Sequence, residues 1–181
     1  MATKRTTKAN RNQERNSRRS QPANRRNERG EASLSAFDLL EQDHRQVEEW
    51  FDEYDELQDD RRKAELAEKI CLALRVHAQI EEEIFYPEAR KATKDNDLID
   101  EAVVEHAAVK NLINEIQEME YGEKLYDAKI RVLGEMVKQH IKEEEDELFP
   151  EVESAKMDIQ AVGEKLARRK DELLSELQAS A

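Results

Sequence analysis

The chain has 181 residues, a net charge of −13, 40% charged residues and 38% hydrophobic residues, which is enough apolar content for one domain with a core. Its single cysteine, Cys71, excludes an internal disulfide, and no apolar run approaches the ~20 residues that a membrane span needs. Four glycines, three prolines and an excess of good helix formers predict an all-α protein, which we expect to be cytoplasmic.

The first element in chain order is a basic tail, residues 1–32. Residues 1–30 hold ten lysines and arginines against Glu14 and Glu28, a net charge of +8, so the rest of the chain carries −21. Because this segment has no aromatic residue and little apolar content, we expect it to be disordered. It has two interpretations: a weak, salt-sensitive arm for nucleic acid or another polyanion, or a solubilising extension.

Four segments then carry apolar residues and one histidine each at the spacing of a helical face. These faces consist of Phe37, Leu40, His44, Val47, Phe51 and Tyr54 in the first segment, Leu66, Ile70, Ala73, His77 and Ile84 in the second, Ile99, Ala102, His106, Val109, Ile113 and Ile116 in the third, and Ile130, Leu133, Val137, His140, Glu144 and Leu148 in the fourth. The pattern predicts an antiparallel up-down-up-down four-helix bundle over residues 33–156.

Local signals predict where these helices begin and end. Asp59-Asp60 is predicted to cap the second helix, and the third is expected to run from about Asp97 to Tyr121-Gly122. Pro150 is expected to interrupt the fourth helix, because proline cannot donate a backbone hydrogen bond. A short fifth helix is predicted within residues 157–181, starting at Asp158, and is expected to pack across one end of the bundle or to mediate association.

The bundle is built from an internal repeat of two helical hairpins. His44 and His77 are 33 positions apart, His106 and His140 are 34 positions apart, and the second histidine of each half lies ten positions before a proline. All four histidines of the chain therefore fall on apolar faces, one on each predicted helix.

Two glutamates extend this pattern, since Glu81 follows His77 by four residues and Glu144 follows His140 by four. Residues four apart stack on one helical face, so each histidine and glutamate can share a metal ion. A buried carboxylate needs a partner charge, and no inward-facing lysine or arginine is predicted beside either one. Imidazole and carboxylate ligands suit iron, manganese or zinc, and six ligands are too many for one tetrahedral zinc. The sequence predicts two ions bridged by the two glutamates.

Other candidate residues have simpler interpretations. The acidic runs around the two glutamates are expected to be solvated helix faces, and this applies to Glu82, Glu83, Glu143 and Glu145. The pair Glu41 and His44 has the spacing of a ferritin-like ligand pair, but the other three histidines lack an equivalent glutamate. Tyr54 and Cys71 are expected to pack in the core rather than to act as redox groups or to support the ligands.

The motifs D-H-R-x-V, H-A-Q-I-E-E-E-I-F-Y-P, E-H-A-A-V and H-I-K-E-E-E-D-E-L-F-P make residues 34–156 resemble the hemerythrin-like HHE cation-binding family. The resemblance implies two iron ions joined by an oxo or hydroxo bridge, favoured over manganese or zinc. It also implies the ligand set: terminal histidines His44, His77, His106 and His140, and bridging carboxylates Glu81 and Glu144. Oxygen-carrying hemerythrins have a further histidine where this chain has Lys110, which disfavours reversible oxygen storage.

The leading functional hypothesis is a di-iron protein that interacts with dioxygen, peroxide or nitric oxide in sensing, scavenging, iron handling or a stress response. A redox enzyme that turns over peroxide or nitric oxide is the second hypothesis, and a metal-gated module that binds nucleic acid through the tail is the third. A bundle without metal is the remaining alternative. The protein is expected to be a monomer or a homodimer, without contact to a membrane.

Overall fold

A computed structural model describes residues 34–94 and 96–180 of the chain, and the tail with its predicted disorder lies outside them. The described residues form an all-α antiparallel bundle and contain no strand, as the sequence predicts. The helices are α1 (Ala36–Glu56), α2 (Asp60–Ile80), α3 (Tyr86–Ala92), α4 (Asp97–Gln117), α5 (Tyr126–Glu143), α6 (Phe149–Ser154) and α7 (Ile159–Ser180). Four long helices, α1, α2, α4 and α5, surround the interior.

Polar side chains cap the helices where the sequence indicates a start. The hydroxyl of Ser35 accepts a hydrogen bond from the backbone N–H of Asp38, and the backbone N–H of Ser35 donates to the Asp38 carboxylate, which forms a capping box before α1. Asp59 caps α2 by accepting a hydrogen bond from the backbone N–H of Arg62, as predicted. Asp158 accepts one from the third residue of α7, which confirms the predicted start of the fifth helix.

Helices α2 and α5 each continue through a π turn into a short helix beyond a proline. The turns span Glu81–Phe85 and Glu144–Leu148, and the next backbone N–H donates to the carbonyl five residues earlier. A proline ring clashes with the carbonyl four residues before it in a regular α-helix, and for both prolines that carbonyl lies inside the wider π turn. The interruption predicted near Pro150 is therefore confirmed for the regular α-helix, which ends at Glu143, but the widened turn lets the chain continue as a helix to Ser154.

The fifth helix, α7, is present as predicted, but its 22 residues make it as long as the bundle helices. It runs alongside α1 and not across one end: Gly163 lies against Leu34, Ser35 and Ala36, while Lys170 pairs with Asp43. A Cβ atom on Gly163 would lie 2.3 Å from the carbonyl oxygen of Leu34. Only glycine permits this close approach of α7 to the start of α1.

The apolar core consists of two clusters with a polar layer between them. Along α1, Leu40 belongs to the first cluster and Val47 to the second, and buried His44 lies between them. The first cluster also contains the rings of Phe85 and Phe149, with α3, α6 and α7 around them. No helix within residues 34–94 and 96–180 is both long and apolar enough to cross a membrane.

Candidate metal centre

The polar layer contains all six side chains that the sequence selects as metal ligands. Each of the four long helices contributes one histidine, and each π turn begins with one glutamate. All six are at most 9% exposed: His44, His77, Glu81, His106, His140 and Glu144. Because the two π turns begin at these glutamates, the local widening of the helix lies directly beside the cluster.

The imidazoles face each other in two pairs through their Nε2 atoms. The Nε2 atoms of His44 and His77 are 3.1 Å apart, and those of His106 and His140 are 3.2 Å apart. Each pair joins the two helices of one sequence repeat. Four ring nitrogens therefore converge on a common interior space, two from each half of the chain.

The glutamates lie between the two pairs. Oε2 of Glu81 is 3.2 Å from Nε2 of His77 and 3.3 Å from Nε2 of His106. Oε2 of Glu144 is 3.4 Å from Nε2 of His44 and 3.8 Å from Nε2 of His140. Each carboxylate thus reaches one imidazole of each pair, which is the arrangement that a carboxylate bridging two cations requires.

The oxygen atoms of both glutamates fit a cation better than they fit the protein alone. All four carboxylate oxygens of Glu81 and Glu144 are buried, and no described residue offers any of them a donor in hydrogen-bonding geometry. Buried carboxylates are costly unless a cation compensates them, and either a protonated imidazole or a metal ion could do so here. The donor atoms form two groups, each within 4.8 Å of one another: His44, His77, Glu81 and Glu144 in one, and Glu81, His106 and His140 in the other. These donors could hold two ions that share Glu81.

A second set of carboxylates faces the outer ring nitrogens. Nδ1 of His44 donates to Glu145 over 2.8 Å, and Nδ1 of His106 donates to Glu82 over 3.0 Å, so each of these histidines is held by the other repeat. His140 donates to Glu105 over 2.8 Å, and Nδ1 of His77 is 3.5 Å from Oδ2 of Asp43. A proton fixed on Nδ1 leaves Nε2 free to bind a metal, and such carboxylates also make the imidazole a stronger ligand.

This outer set was not predicted, since Glu82 and Glu145 were assigned to solvated helix faces. They are only 31% and 24% exposed and contact the histidines of the opposite repeat. The available signal was the repeat itself: an acid precedes the first histidine of each half, and another follows each central glutamate. Sequence spacing alone cannot assign these acids, because each reaches a histidine on a different helix.

Three of the outer carboxylates also pair with a cation. Lys110 contacts both oxygens of Glu82, at 2.6 and 2.7 Å. Arg45 pairs with Glu145, and Lys170 of α7 pairs with Asp43. Lys110 is the residue that departs from the oxygen-carrier pattern. It pairs with Glu82, the carboxylate that accepts a hydrogen bond from Nδ1 of His106.

Nearby carboxylates raise the pKa of three of the site histidines, which are His44, His77 and His140. Burial by itself lowers the pKa of His77, but the charge of Glu81 and the contact with Asp43 outweigh it and raise this pKa to about 10. His44 and His140 follow the same pattern, because hydrogen bonds to carboxylates overcome burial and raise each pKa. Burial raises the pKa of Glu81, yet the imidazoles, led by His77, hold it well below its usual value. His77 and Glu81 therefore favour an ionic pair when the site is free of metal.

Tyr86 is a further polar group at this site that sequence reasoning missed. Its hydroxyl is 3.3 Å from Nε2 of His106, and its side chain is buried. Burial and the nearby charge of Glu144 raise the pKa of Tyr86 well above its usual value, so the phenol keeps its proton. The equivalent residue in the second repeat is Phe149, which has no hydroxyl, and the two halves of the site differ at this position.

The remaining candidates lie away from the cluster. Glu41 is exposed, so the ferritin-like spacing with His44 has no structural counterpart. Tyr54 donates to Asp127 within the second apolar cluster. Cys71 is buried in the same cluster, and this burial raises its pKa to about 11. The prediction that Tyr54 and Cys71 pack in the core is confirmed.

The fold and the site together define a class of protein: an antiparallel helical bundle that holds histidines and carboxylates in its interior for cations. The sequence profile of the hemerythrin HHE cation binding domain matches residues 35–152. The chain belongs to this family. The match and the buried histidine and glutamate cluster indicate a metal-binding protein of a kind that typically holds iron.

Two relatives extend this comparison. The crystal structure of a hemerythrin HHE cation binding domain-containing protein from Mycobacterium kansasii has the same fold, with a TM-score of 0.68 and 23% sequence identity, over 79% of this chain and 89% of that chain. A protein of Nostoc sp. strain PCC 7120 named DNA nickase is 28% identical over 116 residues, which are 64% of this chain. The match covers 33% of the length of that relative, so this chain spans about one third of it.

Proposed function

We propose that the cluster binds two iron ions, with His44 and His77 on one, His106 and His140 on the other, and Glu81 and Glu144 bridging them. The observation that carries this proposal is the burial of four carboxylate oxygens without a hydrogen-bond donor, among four converging imidazoles. A nitrogen and oxygen donor set without thiolates suits iron, manganese or zinc and not an iron–sulfur cluster, and the family match favours iron. Iron, when bound, supplies redox chemistry toward dioxygen, peroxide or nitric oxide.

The side chains of this protein would orient the metal ligands, limit the access of water and supply a hydrogen-bond donor. Glu145, Glu82 and Glu105 hold imidazole protons on Nδ1, so that the Nε2 atoms point inward in their binding form. Burial of the ligands would limit the access of bulk water to the ions. The hydroxyl of Tyr86 supplies one protonated group that can donate a hydrogen bond to a ligand near His106.

The role that we propose is the sensing or scavenging of a small oxidant, or iron handling, and not reversible oxygen carriage. Lys110 occupies the position at which oxygen carriers have a further histidine. Its ammonium group pairs with the carboxylate of Glu82 and is not a metal ligand. One ion would then have fewer nitrogen ligands and more open coordination. The cytoplasmic location and the state of assembly, monomer or homodimer, stay predictions.

Metal analysis and absorption spectra of anaerobically purified protein, before and after exposure to air, test this proposal. We expect two iron ions per chain and a spectrum that changes with air or peroxide. His77→Ala should lose at least one ion, whereas Gln79→Ala, which changes an outward-facing neighbour, should lose none. Retention of both ions by His77→Ala would show that the ligand assignment is wrong.

The rate of peroxide consumption separates a sensor from an enzyme. A sensor or single-use scavenger should consume about one equivalent of peroxide per pair of iron ions and then stop, even with an added electron donor. Sustained consumption with an added electron donor would instead support the enzyme hypothesis.

A second candidate function is contact with nucleic acid through the basic tail. It is favoured by the net +8 of residues 1–30 and by the similarity to a protein named DNA nickase. Replacing the ten lysines and arginines of this segment with glutamine should abolish binding to duplex DNA and remove its dependence on salt. Unchanged DNA binding by that variant would exclude the tail as the contact.

A further inference from the structure

A cavity of about 340 Å³ adjoins the histidine cluster. Its half-buried and exposed lining residues lie on α1, α2 and α7 and include Gln46, Trp50, Ala73, Lys170 and Leu174, so the cavity opens to solvent between these three helices. Its deep end reaches all four site histidines, but neither Glu81 nor Glu144 lines it. The cavity therefore approaches the proposed ions from the side that the bridging glutamates leave free.

The wall next to the histidines is a ring of four aliphatic residues, one from each long helix. Each lies three positions from a histidine of the site: Val47, Leu74, Val109 and Val137. These residues are buried members of the second apolar cluster. The apolar wall continues to Trp50 near the opening. A molecule in the cavity would have an apolar surface around its body and the metal ligands at its inner end.

The volume exceeds what dioxygen, nitric oxide or hydrogen peroxide needs. Water occupies about 30 Å³ per molecule in the liquid, and an apolar cavity of about 150 Å³ is already able to bind benzene. Pockets for small organic ligands begin at roughly 300 Å³ and are mostly apolar with a few polar groups. A cavity of this size beside a buried histidine cluster thus matches a small organic ligand.

The opening carries the few polar groups that such a site requires. Lys170 pairs with Asp43 there, and Gln42 and Gln46 lie on the exposed side of α1. Among the described residues that line the cavity, the one lysine or arginine is Lys170, and its charge is already paired with Asp43. This favours an uncharged ligand.

We propose that this cavity binds an uncharged organic hydroperoxide, with its apolar body against the ring of Val47, Leu74, Val109 and Val137 and its oxygen end toward the histidines. This inference rests on the proposed function, since it names the class of oxidant that the site receives. Reduction of such a hydroperoxide to its alcohol and water consumes two electrons and two protons. Protein loaded with two ferrous ions supplies these electrons once, as both ions become ferric.

Binding is tested without any reaction by using 2-phenylpropan-2-ol, the alcohol that corresponds to cumene hydroperoxide. Trp50 is the single tryptophan of the chain and lines the cavity, so its fluorescence reports occupancy in the full-length protein with or without metal. We expect a saturable change in emission. Ala73→Leu, which fills the cavity near its opening, should weaken the alcohol at least about tenfold. Ala64→Leu, the same change on α2 at a position that does not line the cavity, should leave binding unchanged.

Reaction of the ferrous protein then tests the class of oxidant. Ala73→Leu should slow the consumption of cumene hydroperoxide at least about tenfold more than that of hydrogen peroxide, since the larger oxidant needs the volume of the cavity. Absence of a saturable change in Trp50 emission, or equal slowing of both peroxides, would overturn the inference and leave the proposed di-iron function standing. Iron-loaded protein that binds the alcohol but consumes neither peroxide would overturn both the hydroperoxide inference and the proposed oxidant function. Circular dichroism checks that both variants keep their helical content.

Discussion

The carboxylates behind the imidazoles give the sharpest test of the proposed centre, and Glu105 is the clearest case. Its Oε2 accepts a hydrogen bond from Nδ1 of His140 over 2.8 Å, and its side chain is 32% exposed. A hydrogen bond to a charged group contributes about 1.5–3 kcal/mol, and partial exposure puts this one near the lower limit. Since 1.4 kcal/mol is a factor of about ten in affinity, Glu105→Ala should weaken the ion at His106 and His140 about tenfold.

Glu105→Gln refines this prediction because glutamine keeps an acceptor and loses the charge. A charge-assisted hydrogen bond is roughly twice as strong as a neutral one, so the glutamine variant should lose only about threefold in affinity. Glu115→Ala serves as the control, since Glu115 lies on the same helix in a pair with Lys129 on the surface. Competition with a chelator of known affinity at fixed pH measures all three. If Glu105→Ala binds metal as tightly as the control, the carboxylates do not prepare the imidazoles for metal.

Three further predictions concern protons, packing and the fifth helix. The pKa of His77 is raised to about 10 from 6.5, so protonated His77 should stabilise the metal-free protein fully below pH 6.5, and this stabilisation should be lost as pH rises toward 10. Thermal unfolding across this pH range measures the loss. A melting temperature that does not change with pH would contradict the ionic contact with Glu81. Metal affinity should change in the opposite direction and fall as pH falls, because protons compete for the same nitrogens, and chelator competition at several pH values measures this. Gly163→Ala should destabilise the protein by about 1–3 kcal/mol in urea unfolding, since its Cβ would meet the carbonyl oxygen of Leu34; an unchanged midpoint would mean that α7 moves away at no cost.

The sequence was sufficient to predict the bundle and the clustering of its six central side chains. Helical periodicity places His44, His77, His106 and His140 on interior faces, and the four-residue step from a histidine to a glutamate keeps both on one face. The ligand role of these residues stays a proposal. The structure adds that the four imidazoles meet in two pairs, with Nε2 atoms 3.1 and 3.2 Å apart, which no single helix could reveal.

The outer carboxylates and the π turns could not be predicted in the same way. Glu82 and Glu145 belong to acidic runs, and only the packing of one hairpin against the other brings them to His106 and His44. A π turn differs from an α-helix by a single residue, which hydrophobic periodicity over a short segment does not resolve. The position of α7 depends on the contact of Gly163 with the start of α1, a tertiary feature without a local signal.

The π turns determine in which direction the side chains of each helix point before and after the polar layer. Five residues of a regular α-helix turn through about 500°, so Glu81 and Tyr86 would point about 140° apart, whereas five residues of a π turn make little more than one revolution. The turn therefore lets a ligand and the residue before the proline both face inward, and the second repeat does the same with Glu144 and Phe149. Deleting one residue from either turn would keep a continuous helix. It would rotate the end of that turn and the short helix after it, so that the aromatic ring there no longer packs against Phe37. The length of each turn is therefore constrained whatever residues form it.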